Sequence, residues 1–348
     1  MRIGLQLGYG NDILAAAQQL PALEKAGLEL VSVAEAYSFD AVSQLGYLAA
    51  RTERIELTSG VMQLYSRTPT LLAMTAAGLD YVSGGRFTLG LGASGPQVVE
   101  GFHGVRYDAP LARTREAVEI CRQVWRREKV VHRGRHYQIP LPADVGTGLG
   151  KPLKLIDRPV RERIPVNLAA IGPRNVALAA EIAEAWEPAF YHPGKAKDVW
   201  GDSLAEGYAK RAPELGELDI TVGCPIAFAE GRDADAFLDA VRPQLALYIG
   251  GMGARGKNFY HDLACRYGHA DAAAVIQDHY LAGRKDDAAA AVPDDLVRAI
   301  SLIGPRGAVA EGIAALRESG VTTLKAHLLS PDPADQLETV AQLAELAA

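Results

Sequence analysis

Residues 55–91 read IELTSGVMQLYSRTPTLLAMTAAGLDYVSGGRFTLGL, and this stretch decides the fold class. It opens on Ile55 to Val61, an apolar run short enough for a buried strand. Thr68-Pro69 then supplies a helix start. The threonine oxygen can accept from unpaired N–H groups of the first turn, and a proline in that turn forfeits no hydrogen bond. Gly84-Gly85 supplies the stop, because glycine tolerates the left-handed backbone that closes helices. Phe87 to Leu91 follows as another buried strand. Strand, helix and strand at this spacing make a βαβ unit, whose two strands run parallel.

The same unit recurs in both directions. Towards the N-terminus, Ile3 to Leu7 and Leu28 to Ala34 read as strands, with helices over Asp12 to Ala26 and Asp40 to Arg51. Pro21 lies inside the first of these helices and predicts a kink or a late start. Towards the C-terminus, Pro110 to Arg127 reads as a helix and Ile164 to Ile171 as strand five. Arg174 to Ala185 is its helix, and strand six lies near Trp186 to Tyr191. Ile220 to Phe228 and Val321 to Leu328 make strands seven and eight. Eight such units close more naturally into a (β/α)8 TIM barrel, an α/β fold, than into an open doubly wound sheet, which stays as the structural alternative. Two stretches break the rhythm: 128–163, read as a hairpin-bearing insertion after strand four, and the mostly helical 230–320 after strand seven. Neither resembles a linker, so residues 1–348 are expected to form one domain.

Composition narrows the function classes. The formal net charge of −6 lacks the basic footprint of a nucleic-acid partner. Cys121, Cys224 and Cys265 are far apart, without metal-ligand or disulfide spacing, so neither a metal site nor a disulfide framework is expected. The opening MRIGLQLGYG lacks a signal-peptide pattern, and no apolar run is long enough to span a membrane. A cytoplasmic protein acting on a small molecule is the expectation.

In such a barrel, chemistry gathers at the carboxyl ends of the strands. That rule selects Gly8 and Tyr9, Glu35 and Tyr37, Met62, Gln63 and Tyr65, Ser94 and Gly95, Ala169 to Pro173, Glu187, Cys224 and His327. Glu35 and Tyr37 stand directly after an apolar strand, where helix capping would serve equally well. Leu89 to Pro96 (LGLGASGP) is rich in small residues that let a planar ligand approach the backbone, although tight turns have the same composition. It lacks the GxGxxG spacing, and no P-loop occurs. Ala169-Ala170-Ile171-Gly172-Pro173-Arg174-Asn175 runs from a strand into a helix start, a natural seat for phosphate.

The run GLELVSVAEAYSFDAVSQLGYLAARTERIELTSGVMQLYSRTP from Gly27, with SGGRFTLGLGASGPQVVEGFHG and PLARTREAVEIC, resembles the bacterial luciferase-like superfamily. The similarity is greatest to its coenzyme F420-dependent branch, which includes methylenetetrahydromethanopterin reductase-like proteins. YIGGMGARGKNFY, YLAGRKDDAAAAVPDDLV and SLIGPRGAV carry the resemblance through most of the chain. It implies a (β/α)8 barrel with excursions after strands four and seven, a deazaflavin in the carboxyl-end mouth, and a homodimer. It also implies a non-proline cis peptide between Gly60 and Val61, behind the cofactor ring. Ala169, Ala170 and Gly172, with Pro173 and Arg174 beside them, match the phosphate side; Ser94 and Gly95 match the strand-four lining; Glu35 matches an acidic position near the cofactor. Several relatives place histidine after that acid, where this chain has Ala36.

The implied reaction is hydride transfer between F420 and a small organic substrate. FMN-dependent monooxygenation and non-catalytic deazaflavin binding are the alternatives. The proton partner is sought among Tyr65, Glu35, His103 and Tyr37. Tyr260 and His261 could contribute a lid, and His327 reads as a core histidine. Residues 126–163 hold ten Lys/Arg against four Asp/Glu, a basic excursion that could grip an anionic cofactor tail through Arg133 and Arg135.

Overall fold

The computed structural model describes residues 1–10 and 12–348. Eight parallel strands form the wall of a barrel: Arg2–Leu7, Leu30–Val33, Glu56–Ser59, Phe87–Gly92, Val166–Ala169, Ala185–Glu187, Asp219–Phe228 and Thr323–Leu328. They are strands one to eight below. The wall closes: Arg2 to Leu5 of strand one pair with Thr323 to Ala326 of strand eight. Strands six and seven meet at Ala185 with Asp219 and at Trp186 with Ile220. An open doubly wound sheet is thereby excluded.

Helix starts follow local chemistry. The Asp12 carboxylate accepts from the Leu14 and Ala15 N–H groups and fixes the start of Ile13–Lys25, so the late start that Pro21 suggested does not occur. Thr68 caps Pro69–Val82 through the Leu71 N–H, and Asp40 caps Ala41–Ala49 through the Ser43 N–H. Arg86, just past the Gly84-Gly85 stop, donates to the carbonyls of Ala49, Thr52 and Ile55. One guanidinium thus satisfies the carbonyl groups where the preceding helix ends and strand three begins. Asp80 is fully buried in Pro69–Val82 and pairs with Arg161, which also donates to the Phe87 carbonyl. This pair fastens the chain ahead of strand five to the helix before strand four.

The third strand is shorter than the sequence suggests. Its pairing with strand two stops at Ser59, and the Gly60–Val61 peptide is cis. Met62–Gln63 then resumes pairing, against Leu91 and Gly92 of strand four. Ser32 fills the space beside Gly60, where a Cβ would lie 2.1 Å from its Oγ.

Between Pro110–Trp125 and strand five, His132–Arg133 and Gln138–Ile139 form an antiparallel hairpin within otherwise irregular chain. After strand seven come helices Gly231–Ala246, Phe259–Arg266, Ala270–Leu281, Lys285–Ala290 and Asp294–Ala299. A short strand missing from the sequence reading, Leu302–Gly304, follows and pairs with Ile226 to Phe228. It occupies the flank of strand seven that strand six holds lower down. One contiguous cluster of buried apolar residues extends from Ile3 to Ala347.

The barrel floor is ionic. Arg2 pairs with Glu56 at 2.8 Å and with Asp219, and donates to Thr323 Oγ1 at 3.1 Å. Above it the lumen is polar, where barrel interiors of this kind usually pack branched apolar side chains. Ser32, Thr58, Asn167 and Lys325 are all buried there. No helix among the described residues is long and apolar enough to cross a membrane.

Candidate active site at the barrel mouth

The carboxyl ends of strands two to five carry Glu35, Gly60, Val61, Ser94, Gly95, Ala169, Ala170, Gly172, Pro173 and Arg174. Their small side chains have steric causes. A Cβ on Gly90 would meet the Ser59 carbonyl oxygen at 1.7 Å, and one on Gly92 would meet Val61 Cγ2 at 2.6 Å. At Gly90 strand four lies against the strand-three backbone, and at Gly92 against the Val61 side chain, so neither position has room for a side chain. The helix Pro173–Ile182 starts at Gly172 without a side-chain cap; Pro173 has no N–H and Asn175 donates to the Gly172 carbonyl, which leaves the Arg174 N–H and the positive dipole end available. Phe259 stands in contact range of Gly172. Ser94 and Phe190, at the exits of strands four and six, adopt left-handed φ values of 57° and 48°. Such conformations cost on the order of 1–3 kcal/mol and cluster where function demands them.

Glu35 is clamped. Arg67 donates to its two oxygens at 2.6 and 2.9 Å, and the Ala41 N–H adds a third bond at 2.9 Å. Burial alone would raise its pKa, but the Arg67 and Ala41 hydrogen bonds and the Arg67 charge outweigh it and hold Glu35 below the usual carboxylate range. An ionised carboxylate so occupied is a poor proton donor. Arg67 itself was missed in the sequence reading; an arginine six residues past the strand-three break carries no distinguishing pattern.

Tyr65 is committed as well. Its hydroxyl donates to the Asp108 carbonyl at 2.7 Å, and burial followed by Tyr107 pushes its pKa upward. His103 lies against Phe102, with a buried Nε2 that has no partner among the described residues. Glu35, Tyr65 and His103 share no hydrogen bond with one another. Cys224 is buried, its thiol pushed up to about 12 by burial, and is inert. Within the basic excursion, Arg133 donates to the Pro140 carbonyl and Arg127 to those of Leu155 and Ile156, while Arg163 reaches out to Glu184.

Deeper in the lumen lies a network that includes two residues overlooked in the sequence, Lys325 and Asn167. The fully buried Lys325 contacts Glu187 Oε1 at 2.5 Å and Ser32 Oγ at 3.3 Å, while Asn167 donates to Glu187 Oε2 at 2.7 Å. The signal was present in Thr323-Leu324-Lys325-Ala326-His327, where polar residues alternate with apolar ones and so share one strand face. Above Lys325, burial and then the Lys325 charge pull His327 down to about 4, keeping it neutral. Gly223 makes room for this ring: a Cβ there would lie 3.1 Å from its Nε2. Gln63 Oε1 and Asn167 Oδ1 are buried acceptors without partners among the described residues.

The rim is aromatic. Tyr248 and Tyr260, from the excursion after strand seven, meet edge to face with ring centroids 4.7 Å apart, and Phe190 packs against both. Tyr37 approaches Phe102 at 6.1 Å. Tyr9, at the exit of strand one, neighbours Tyr248 and Tyr37.

Comparison with known proteins agrees with this geometry. The family model described as luciferase-like monooxygenase matches residues 1–323. A Mycobacterium tuberculosis protein named as a coenzyme F420-dependent oxidoreductase is 42% identical over 346 residues, covering 99% of each chain. The 5,10-methylenetetrahydromethanopterin reductase of Archaeoglobus fulgidus is 27% identical over 328 residues, covering 91% of this chain and 90% of its own. Among solved structures, the coenzyme F420-dependent tetrahydromethanopterin reductase of Methanopyrus kandleri superposes with a TM-score of 0.79 at 20% identity, over 99% of this chain and 97% of that one. The closed barrel, its open carboxyl-end mouth and the match over nearly the whole length make this chain a member of the luciferase-like monooxygenase family.

Proposed function

We propose that this chain is an oxidoreductase that holds coenzyme F420 in the barrel mouth and transfers a hydride between the deazaflavin and a small organic substrate. The observation that carries the reading is the donor and acceptor set of the mouth. Gln63 Oε1 and Asn167 Oδ1 are buried acceptors awaiting a donor, and the uncapped helix start at Gly172 awaits an anion. A deazaflavin presents both, a ring-edge N–H and a phosphate. The nature of the 42% identical relative supports the same choice.

When bound, F420 supplies an obligate two-electron hydride carrier. The protein's share is placement. Gly60, Val61, Ser94 and Gly95 would line the ring, and Ala169, Ala170, Gly172, Pro173 and Arg174 would flank the phosphate. Glu35 holds Arg67 and the start of Ala41–Ala49 in position, so it shapes the wall and leaves proton exchange to other groups. The proposal places this activity in one domain over residues 1–348, in a cytoplasmic homodimer. Leu71, Met74, Tyr81 and Val82, exposed along one helix, favour pairing.

Fluorescence titration of the purified protein with F420 and with FMN tests the cofactor. F420 is expected to saturate at one per chain, with FMN at least about tenfold weaker. Tight FMN binding without F420 binding would return the monooxygenase reading. F420 binding with no hydride exchange across a substrate panel would return the carrier reading.

A further inference from the structure

We propose that the mouth selects an uncharged, ring-containing apolar substrate bearing a hydrogen-bond acceptor such as a carbonyl, which the phenols of Tyr9, Tyr248 and Tyr260 engage. The inference deepens the proposed function by naming the substrate class of the same site.

The first observation concerns aromatic rings left open to solvent. Tyr9 is 57% exposed, Tyr37 67% and Phe102 66%, yet they belong to one arc. Phe102 approaches Tyr37, Tyr37 and Tyr9 neighbour Tyr248, and Tyr248 packs on Tyr260 and Phe190. These residues come from the exits of strands one, two, four and six and from the excursion after strand seven. Aromatic rings gathered at the mouth of a barrel are a usual lining of a small-molecule site.

The second observation concerns the hydroxyls. Four phenols elsewhere in the barrel donate to backbone carbonyls: Tyr65 to Asp108, Tyr107 to Ser94, Tyr191 to Ser319 and Tyr267 to Phe190. The hydroxyls of Tyr9, Tyr248 and Tyr260 make no hydrogen bond with any described residue and are not sealed from solvent. They are donors without a partner.

The third observation is the absence of positive charge at these hydroxyls. Arg113 acts on Tyr65 and Tyr137, and Arg266 on Tyr267. The charged or phenolic neighbours of Tyr9, Tyr248 and Tyr260 are one another, Tyr37 and the Glu35 carboxylate. Two arginines of the mouth and its excursion are paired with carboxylates, Arg67 with Glu35 and Arg255 with Asp278. A phosphorylated or carboxylated substrate would lose its hydration here without gaining a counter-charge. A neutral ketone or enone loses little and gains a phenol donor.

The test is calorimetric titration with three probes, with and without F420: 2-acetylnaphthalene, naphthalene-2-carboxylate and glucose 6-phosphate. The ketone is expected to bind at least about tenfold tighter than either anion. Tyr9→Phe, Tyr248→Phe and Tyr260→Phe together keep the rings and should weaken the ketone about three- to tenfold, the worth of one neutral hydrogen bond. Tyr248→Ser, which removes a ring, should weaken it further. Anion binding as tight as the ketone's, or no loss in the triple phenylalanine variant, overturns the proposal. Ketone binding without F420 binding would refute the cofactor reading alone; F420 binding without ketone binding would refute this one alone.

Discussion

Lys325 on strand eight reaches past strand seven to Glu187 on strand six, Nζ to Oε1 2.5 Å, with the lysine fully buried. A buried ion pair is held by its completeness, since either partner alone is an unpaired charge in a poorly solvated lumen. Lys325→Met is expected to cost about 3–5 kcal/mol in chemical denaturation. Adding Glu187→Gln should restore a large part of that loss, because a neutral amide can still accept from Asn167. A single-variant loss below about 1 kcal/mol would show that water already solvates the pair.

His327 gives the fold a pH dependence of definite sign. Its folded pKa, near 4, lies below the ordinary value of 6.5, so the unfolded chain binds this proton more readily. Stability from this group is full above pH 6.5 and is lost as pH falls toward 4, by on the order of 3 kcal/mol. His192, held low by burial and then by Lys195 and His269, adds a slope of the same sign. His327→Asn should flatten part of the decline between those limits, read from denaturation midpoints across the range. An unchanged slope would mean that His327 titrates normally.

Glu35→Gln separates anchoring from proton transfer. Losing the bidentate Arg67 pair should lower stability by about 1–3 kcal/mol. Turnover with F420 should fall without any limb of the pH–rate profile moving. Disappearance of a limb would make Glu35 the proton carrier after all.

Two glycines make opposite predictions. Gly90→Ala would drive a Cβ onto the Ser59 carbonyl, an unyielding backbone atom at 1.7 Å, and should leave little folded protein. Gly46, inside Ala41–Ala49 with nothing within 4 Å of its Cβ position, should gain about 0.5–1 kcal/mol as alanine. Thermal melts of the two variants decide both points; equal behaviour would mean that the strand-four contact yields to an added methyl group.

The architecture was legible because βα repetition is written locally. Thr68-Pro69 and Gly84-Gly85 mark a helix by chemistry that needs no distant partner. The mouth was legible only as a rule about strand ends. That rule found Glu35 and Gly172 but could not assign Glu35 its partner, because Arg67 meets it only once strands two and three are aligned. Lys325 was missed because a lysine in a strand reads as solvent-facing until closure makes that face interior. Leu302–Gly304 was missed because three residues carry no periodicity. Tyr260 was legible as a residue of the long excursion, but its partner Tyr248 and their place beside Tyr9 emerge only when the excursion folds back over strand one.

The short strand Leu302–Gly304 gives the cylinder a taper. At the Arg2–Asp219 end strands six and seven touch directly, while at the other end an additional segment stands between strand seven and the gap above strand six. The base can therefore stay rigid while the lip changes its circumference by lengthening or dropping one segment. Variants that exchange residues 230–304 among relatives should tolerate wide differences in cargo size without disturbing the foundation on which the strands are registered.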